Sequence, residues 1–332
     1  MRPRVFLTRE LTPGPMARLR EHTDLTVNPG DRVLSREELL EGVRGKAGLL
    51  CLLTDTIDAP VLDAAPQLKV ISNYAVGFNN IDVPAATERG ISVTNTPGVL
   101  TDTTADMAFA LLFATGRRLV EGHDLVRSGG WKGWGPLQLL GGEVTGATLG
   151  LIGLGRIGRA MVPRAKGFRM TVLYWNRTRL SPEEEAELGI EYAPFGEVLG
   201  RSRFVSIHVA ATPETRHLID ARALRLLGPE GYLINTARGS VVDEQALVEA
   251  LQEGVIAGAG LDVYEREPEV TAGLAACPNA VLAPHLGSAT HATRSAMGNI
   301  AVDNLLAVLR GDRPAHLINT ESFQRGGKGS PG

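Results

Sequence analysis

Residues 147–160 read Ala147-Thr-Leu-Gly-Leu-Ile-Gly-Leu-Gly-Arg-Ile-Gly-Arg-Ala160 and carry the clearest structural signal in the chain. An apolar strand runs into a glycine turn, and a helix begins directly after it. Gly153 permits the sharp bend, Gly155 lets a pyrophosphate approach the backbone, and Gly158 lets the helix pack on the strand. Unpaired N–H groups at the helix N-terminus favour an anion. Because a second apolar strand, Thr171–Trp175, completes the unit, this stretch predicts a dinucleotide site.

The residues that follow the second strand bear on which dinucleotide is bound. Folds that prefer NAD place an Asp or Glu there to bind the ribose 2′-OH. Here the sequence is Asn176-Arg177-Thr178-Arg179, so no carboxylate repels a 2′-phosphate. The guanidinium of Arg177 and the hydroxyl of Thr178 are available to bind one. We therefore predict that NADP(H) is preferred and that NAD(H) is possible; the alternative is a solvated basic turn.

Strand-like and helical patterns alternate along the rest of the chain. Ser35 and Glu38 form the sequence signature of a capping box at a helix start. Pro163 is expected to bend the helix after the glycine turn or to end it early. The alternation predicts parallel sheets with helices on both faces. In the first hundred residues the predicted strands are Val5–Thr8, Leu25–Asn28, Ala47–Leu53, Leu68–Ser72 and Ile91–Thr94.

Three further segments are distinctive. The helix predicted over Thr103–Gly116 is apolar on nearly all sides and should be buried between domains or subunits. A Gly/Trp-rich segment follows, in which Trp131 and Trp134 are most simply interpreted as local core. The last helix is predicted over roughly 288–310 and closes at Gly311.

Composition limits the classes of protein that the chain can represent. A length of 332 residues suits two domains, and a net charge of −3 gives no basic field for nucleic acid or an anionic membrane surface. No apolar run has the length of a membrane span, and the N-terminus lacks a signal-peptide core. Cys51 and Cys277 suggest neither a disulfide framework nor a metal site. We therefore expect a cytoplasmic protein.

Several separate motifs, in one order, carry a resemblance to a known family. The sequence resembles the D-isomer-specific 2-hydroxyacid dehydrogenases, most closely the glyoxylate/hydroxypyruvate reductases, over nearly the whole chain except the extreme C-terminal tail. The matching segments are Ser72-Asn-Tyr-Ala-Val-Gly-Phe-Asn-Asn-Ile-Asp82, Asn95-Thr-Pro-Gly-Val-Leu-Thr-Asp-Thr-Thr-Ala-Asp106, Gly153–Gly158, Asn235-Thr-Ala-Arg-Gly239, Leu261-Asp-Val-Tyr-Glu-Arg-Glu-Pro268 and Pro284-His-Leu-Gly-Ser-Ala-Thr290.

The resemblance implies an α/β fold of two Rossmann-like doubly wound domains with a cleft between them. The substrate domain would be discontinuous, built from residues 1–100 and 288–322, and the dinucleotide-binding domain would span 101–287. Residues 323–332 are expected to form a flexible tail. The family also implies a homodimer, with the long helix and the Trp131–Gly142 arm at the interface.

Three residues receive catalytic roles from the resemblance. The reaction implied is hydride transfer from NAD(P)H to C2 of a small 2-oxo acid, which gives the D-2-hydroxy acid. Arg238 would bind the substrate carboxylate and carbonyl through its rigid charged fork. His285 would be the general acid that protonates the carbonyl oxygen. Glu267 would hydrogen-bond the imidazole, fixing its tautomer and favouring its charged form.

Further contacts to substrate and dinucleotide follow from the same resemblance. The backbone N–H groups near Val76 and Gly77 would cradle the substrate carboxylate. No metal is implied. The remaining histidines, His22, His123, His217, His291 and His316, have no constellation around them and are interpreted as surface or structural residues. The implied substrate-binding residues are Tyr74, Ala75, Val76, Gly77 and Arg238. The implied cofactor-binding residues are Thr104, Gly153, Leu154, Gly155, Arg156, Ile157, Gly158, Asn176, Arg177, Thr178, Val209, Thr236, Ala237, Arg238, Asp262, His285 and Gly287.

Four alternative functions are open to a chain with these motifs. A phosphoglycerate dehydrogenase would share the three residues, but many carry an extra regulatory domain for which there is no room after residue 320. A D-lactate dehydrogenase would more often keep an acidic residue where Asn176 stands. A formate dehydrogenase is disfavoured because it has a neutral amide at the position of Glu267. A non-enzymatic nucleotide-sensing corepressor of the same fold would favour long tails or a basic cluster, and neither is found in the sequence.

Overall fold

The computed structural model describes residues 1–322. The chain divides into two compact units, which are Met1–Leu100 with the residues from Thr290 onward (unit 1) and Thr101–Ala289 (unit 2). The tail predicted to be flexible, 323–332, lies outside the described residues. None of the helices formed within 1–322 is long and apolar enough to cross a membrane.

Unit 1 contains a five-stranded parallel sheet in the order β2-β1-β3-β4-β5. Its strands are β1 (Arg4–Leu7), β2 (Asp24–Val27), β3 (Gly48–Cys51), β4 (Val70–Asn73) and β5 (Ser92–Thr94). The helices are α1 (Pro13–His22), α2 (Arg36–Gly42), α3 (Ala59–Asp63) and α4 (Val83–Glu88), together with the last helix of the chain, α12 (His291–Arg310).

Local sequence explains most of these elements. β3 and β4 are buried at every position, as expected for strands covered on both faces. The predicted capping box is present at the start of α2, where Ser35 and Glu38 bond each other's backbone N–H. α12 begins later than predicted because Thr290 caps it by accepting from the Thr293 amide, and it ends at Gly311 with φ at +90°.

Unit 2 contains a seven-stranded parallel sheet in the order β12-β11-β10-β9-β6-β7-β8. The order reverses at β6, which lies between β7 and β9, and such a reversal is where open α/β sheets bind ligands. The strands are β6 (Thr148–Ile152), β7 (Thr171–Trp175), β8 (Glu191–Tyr192), β9 (Phe204–Ile207), β10 (Tyr232–Asn235), β11 (Gly258–Leu261) and β12 (Ala280–Leu282). The helices are α5 (Thr101–Gly116), α6 (Leu119–Arg127), α7 (Arg156–Gly167), α8 (Pro182–Leu188), α9 (Phe195–Arg201), α10 (Ala221–Leu227) and α11 (Glu244–Gln252). The α/β prediction with parallel sheets is therefore confirmed.

Two local features of unit 2 differ from expectation. Of the two outcomes expected at Pro163, a bend or an early end, the early end is wrong: α7 continues to Gly167, because packing of its buried face, including Met161 and Val162, outweighs the lost hydrogen bond. Trp131 and Trp134 are not local core, since they are 51% and 84% exposed. The glycines around them give this segment neither helix nor strand, so no element turns the two indoles inward.

Candidate active site

The glycine turn between β6 and α7 has the geometry that its sequence predicts. Gly153 has φ at +97°, and a Cβ there would stand 2.8 Å from the backbone of His208 and Val209. A Cβ on Gly158 would stand 2.3 Å from the Gly153 carbonyl oxygen, so the helix packs on the turn itself. Gly155 differs, because a Cβ there would meet no atom within 4 Å. The backbone over Gly155 is therefore open to an approaching group.

The residues after β7 divide into supporting and exposed side chains. Asn176 accepts a hydrogen bond from the Leu154 amide at 3.1 Å, so its side chain supports the glycine turn. Arg179 donates to both carboxylate oxygens of Glu185, at 2.7 and 2.8 Å. Arg177 and Thr178 are exposed. Glu185 therefore binds the guanidinium of Arg179 and not that of Arg177.

Arg238 lies in the turn that follows β10, and the side chain of Asn235 holds this turn in place. The Asn235 side chain, 1% exposed, accepts from the Ala237 amide at 3.0 Å and donates to the Arg238 carbonyl at 2.9 Å. Arg238 donates to the Ala237 carbonyl at 2.7 Å. Burial lowers the pKa of Arg238, while the nearby charge of Glu267 acts in the opposite direction. The family motif contains Asn235 but implies no role for it, although an Asn directly before a turn is a typical turn-forming residue.

His285 and Glu267 form a hydrogen-bonded pair. The imidazole Nδ1 lies 2.8 Å from Glu267 Oε2, and Oε1 of the same carboxylate accepts from the Tyr264 amide at 3.0 Å. Burial raises the pKa of Glu267, but the hydrogen bond and charge of His285, the Tyr264 amide and the charge of Arg238 together outweigh it. The net pKa is lowered from 4.5. Glu267 is therefore ionised at neutral pH and can accept the Nδ1 proton.

The backbone at His285 is held in an uncommon conformation. Its φ is +57°, in the left-handed region that non-glycine residues seldom adopt. Asp262 fixes the residues that follow, since its two carboxylate oxygens accept from the amides of Leu286 and Gly287 at 2.6 and 2.7 Å. Thr104 on α5 donates to the Gly287 carbonyl at 3.2 Å. Burial raises the pKa of Asp262, and the two amide bonds oppose that rise.

In unit 1, side-chain amides hold the loop that follows β4. Asn73 donates to the Gly77 carbonyl and Asn95 to the Val76 carbonyl, each at 2.8 Å. Among residues 1–322, the N–H groups of Val76 and Gly77 donate to no backbone carbonyl. The Ala75 carbonyl accepts from the Thr96 amide at 2.9 Å. The hydroxyl of Tyr74 donates to the Arg294 carbonyl at 2.6 Å, so this side chain supports α12.

One histidine that the sequence analysis set aside does have charged neighbours. His217 Nε2 lies 2.5 Å from Glu265 Oε1, and its Nδ1 lies 4.0 Å from Asp243. The interpretation that no constellation surrounds it is therefore wrong. The partner is 48 residues away in sequence, and only the packing of the segment after β11 brings the two together.

The residues of unit 2 fit a bound nicotinamide dinucleotide. The open backbone at Gly155 leaves room for a pyrophosphate at the N-terminus of α7. At the end of β10, the hydroxyl oxygen of Thr236 is buried and finds no hydrogen-bond partner within 1–322, which is unfavourable unless a ligand satisfies it. The predicted neighbours Arg156, Ile157, Val209 and Ala237 lie on α7 or directly after β9 and β10.

A reversed parallel sheet with an open glycine turn, and an arginine and a histidine–glutamate pair in the same unit, define a nicotinamide-dependent dehydrogenase. The chain belongs to the D-isomer specific 2-hydroxyacid dehydrogenases, because the model of that family's NAD binding domain matches residues 109–287. The family predicted from the motifs is thereby confirmed.

Individual curated relatives and solved structures show which members of the family the chain is similar to. A glyoxylate reductase of Thermococcus litoralis is 49% identical over 97% of this chain and 98% of its own length. A Thermus thermophilus protein of solved structure matches with a TM-score of 0.88 and 47% identity, over 95% of this chain and 99% of that one. An NADPH-dependent glyoxylate/hydroxypyruvate reductase of Sinorhizobium meliloti, solved with NADP and malonate, matches with a TM-score of 0.84 and 37% identity. That match covers 97% of this chain and 98% of the other.

Proposed function

We propose that the protein reduces glyoxylate to glycolate and hydroxypyruvate to D-glycerate, with NADPH as the preferred reductant. The observation that carries the proposal is the 2.8 Å contact between His285 Nδ1 and Glu267 Oε2. This contact orients the imidazole so that it can act as an acid toward a substrate carbonyl oxygen. The likeness to curated glyoxylate reductases over nearly the full length supports this choice of substrate class.

The assigned roles follow from the chemistry of the three side chains. Arg238 binds the substrate carboxylate with its guanidinium fork. Since Nδ1 of His285 donates to Glu267, the Nε2 proton is the one available to the carbonyl oxygen. The bound nicotinamide supplies the hydride that C2 accepts. Glu267 stays ionised and stabilises the positive imidazole before the proton leaves it. The backbone amides of Val76 and Gly77 in unit 1 are also proposed to bind the substrate.

A substrate panel tests the proposal. The kcat/KM for glyoxylate, hydroxypyruvate, pyruvate and 3-phosphohydroxypyruvate is measured with NADPH and with NADH. We expect glyoxylate and hydroxypyruvate to be the best substrates and the glycerate formed to be the D-isomer by chiral chromatography. An L-product, or higher kcat/KM for pyruvate or the phosphorylated acid, would contradict it.

The cofactor preference rests on the turn after β7. Arg177 is exposed beside Thr178 while Arg179 is held by Glu185. A 2′-phosphate bound there would gain charge-assisted hydrogen bonds from Arg177. NADH would gain none of these and would meet no acidic side chain for its 2′-OH at residues 176–179.

We also propose that unit 1 is the substrate domain, unit 2 the dinucleotide domain, and the active form a homodimer. Exposed apolar side chains lie on α6 and the arm after it, at Leu119, Val126, Trp134, Leu137 and Leu140. Such a concentration is unfavourable in water and typical of an interface. Sedimentation of the wild type and of a Trp134→Ser/Leu137→Ser variant measures the oligomeric state. We expect a dimer that weakens in the variant; a monomeric wild type would contradict the proposal.

A further inference from the structure

We propose that Glu244 is a positioning residue for the His285–Glu267 pair, an inference that rests on the function proposed above. Glu244 is the first residue of α11 and is 2% exposed. It does not belong to any motif from which the site was predicted. Its carboxylate binds the segment that carries Glu267, at two places.

The two hydrogen bonds of Glu244 hold the two ends of one short segment, residues 265–271. Oε1 accepts from the Glu265 amide at 2.7 Å, and Oε2 accepts from the Thr271 hydroxyl at 2.5 Å. Glu267 lies between these two points. One carboxylate thus closes the base of the turn from which the partner of His285 projects.

The same segment is also pressed against the turn of Arg238. A Cβ on Gly239 would stand 1.9 Å from the Tyr264 carbonyl carbon and 2.3 Å from the Glu265 nitrogen. The backbone that Glu244 holds therefore lies directly on the residue after Arg238. A displacement of this segment would change where the Glu267 carboxylate stands relative to both the arginine and the imidazole.

The burial of Glu244 is hard to explain by stability alone. Within residues 1–322 no ion pair includes this carboxylate, and burying a polar side chain at 2% exposure costs free energy unless hydrogen bonds compensate for the lost water. Two hydrogen bonds and the N-terminus of α11 offset part of it. An apolar residue would avoid the penalty, but it could not accept from the Glu265 amide and the Thr271 hydroxyl at once.

A pH profile distinguishes positioning from a purely structural role. Loss of the Glu267 charge destabilises the imidazolium, so the alkaline limb of kcat should move to lower pH. The other charged or titratable groups that act on the pair are Arg238, Asp262 and Tyr264. The charged or titratable side chains that bond the segment from 265 to 271 are Glu244, His217 and Arg216. Of these, Glu244 bonds it at two places, Glu265 and Thr271.

The experiment measures kcat for glyoxylate reduction against pH, with saturating NADPH, for variants of Glu244 and Glu267. In Glu267→Gln the alkaline limb should move down by about one pH unit. Glu244→Ala should move it in the same direction, and the double variant should shift no further than Glu267→Gln. Glu244→Gln should retain the wild-type profile, because its amide can accept from Glu265 and donate to the Thr271 hydroxyl. Glu244→Asp, which keeps the charge but is too short to reach both ends, replaces the alanine variant if that does not fold.

The matched control is Asp220→Ala, which removes the acceptor that caps α10 in the same unit at 2.8 Å. It should lower the melting temperature and leave the alkaline limb unchanged. If the limb moves in Glu267→Gln but the folded Glu244 variants superimpose on wild type, the role of Glu244 is refuted and the proposed function stands. If Glu267→Gln itself leaves the limb unmoved, the pairing that underlies the proposed function fails first, and the inference about Glu244 fails with it.

Discussion

The turn after the first strand of unit 2 and the turn after the first strand of unit 1 solve the same topological problem in opposite ways. β6 and β1 each lie inside a parallel sheet, and each leads into a helix. After β6 the chain turns at Gly153 with φ at +97° and leaves Gly155 open. After β1 a buried carboxylate fills the space: Asp55 accepts from the Thr8 hydroxyl at 2.6 Å and from the Leu52 amide at 2.8 Å.

The difference shows that sheet topology does not by itself make an anion site. A negative group at the turn after β1 would repel a phosphate, whereas the turn after β6 presents unpaired amides to one. Local residue choice at the turn decides between the two outcomes. The predictions below test each side of this contrast.

The largest effect on kcat is expected for the proposed general acid of unit 2, His285. His285→Ala should lower kcat by about 10²–10⁴, the usual contribution of a positioned general acid. His217, the other histidine with a carboxylate at hydrogen-bonding distance, provides the matched control. His217→Ala should lose less than about tenfold, because its imidazole contacts Glu265 and is assigned no proton transfer to substrate. Comparable losses in steady-state kcat for the two variants would remove the special role of His285.

Changing the charge beside the open turn should affect one cofactor. Arg177→Asp would remove the charge-assisted contact proposed for the 2′-phosphate, worth about 1.5–3 kcal/mol, and should raise the KM for NADPH roughly ten- to a hundredfold. The KM for NADH should change little or improve. Arg179→Gln is the control, because its side chain is committed to Glu185 and its loss should leave the NADPH-to-NADH ratio unchanged. Equal losses with both cofactors in Arg177→Asp would refute the assignment.

Closing the turn sterically should destabilise unit 2. In Gly158→Ala the new methyl would stand 2.3 Å from the Gly153 carbonyl oxygen, so α7 must move. We expect a loss of about 1–3 kcal/mol in the free energy of unfolding and weaker NADPH binding. Gly167→Ala at the exposed end of the same helix, where a Cβ meets nothing within 4 Å, should instead be neutral or stabilising by a few tenths to about 1 kcal/mol. Denaturant titrations of the two variants measure the contrast; similar losses would contradict it.

The smallest effect concerns the carboxylate that fills the turn of unit 1. Burial raises the pKa of Asp55 from 3.8, although Thr8, Leu52 and Arg9 oppose it. A folded pKa above the unfolded one means that stability falls as pH rises from 3.8 through the folded pKa. Asp55→Asn keeps an oxygen for both donors and removes the charge, so its stability relative to wild type should grow over that interval, by less than about 1 kcal/mol at neutral pH. Parallel stability–pH curves would show that Asp55 bears no such penalty.

The sequence could predict the parts of the site that depend on neighbours along the chain. The glycine turn needs three glycines within six residues, and its geometry at Gly153 and Gly158 follows directly from them. The parallel sheets follow from alternating apolar strands and helices. The family motifs placed Arg238, Glu267 and His285 in the sequence before any distance was known.

Other features depend on contacts between distant segments. Glu244 is, from its sequence position, an ordinary acidic residue in the first turn of a helix; only the packing of residues 265–271 makes it a buried clamp. His217 meets Glu265 for the same reason. Asp262 stays a predicted neighbour of the cofactor, and the hydrogen bonds of its carboxylate to the amides after His285 are a further role that its sequence position does not reveal. The exposure of Trp134 does not follow from its local sequence, because aromatic content alone does not distinguish core from interface; only the family resemblance places its arm at an interface.

The close approach at Gly239 has a consequence for how related chains are recognised. With only 1.9 Å between a Cβ at this position and the Tyr264 carbonyl carbon, no side chain fits there unless the acidic segment moves away. The glycine that follows the arginine is thus an indirect marker of where the backbone that leads to Glu267 lies. We expect a relative that keeps the arginine but bears a larger residue after it to hold its glutamate in a different position, even if the glutamate and histidine are still present in its sequence. Such a chain should be screened for binding before it is assumed to turn over a substrate.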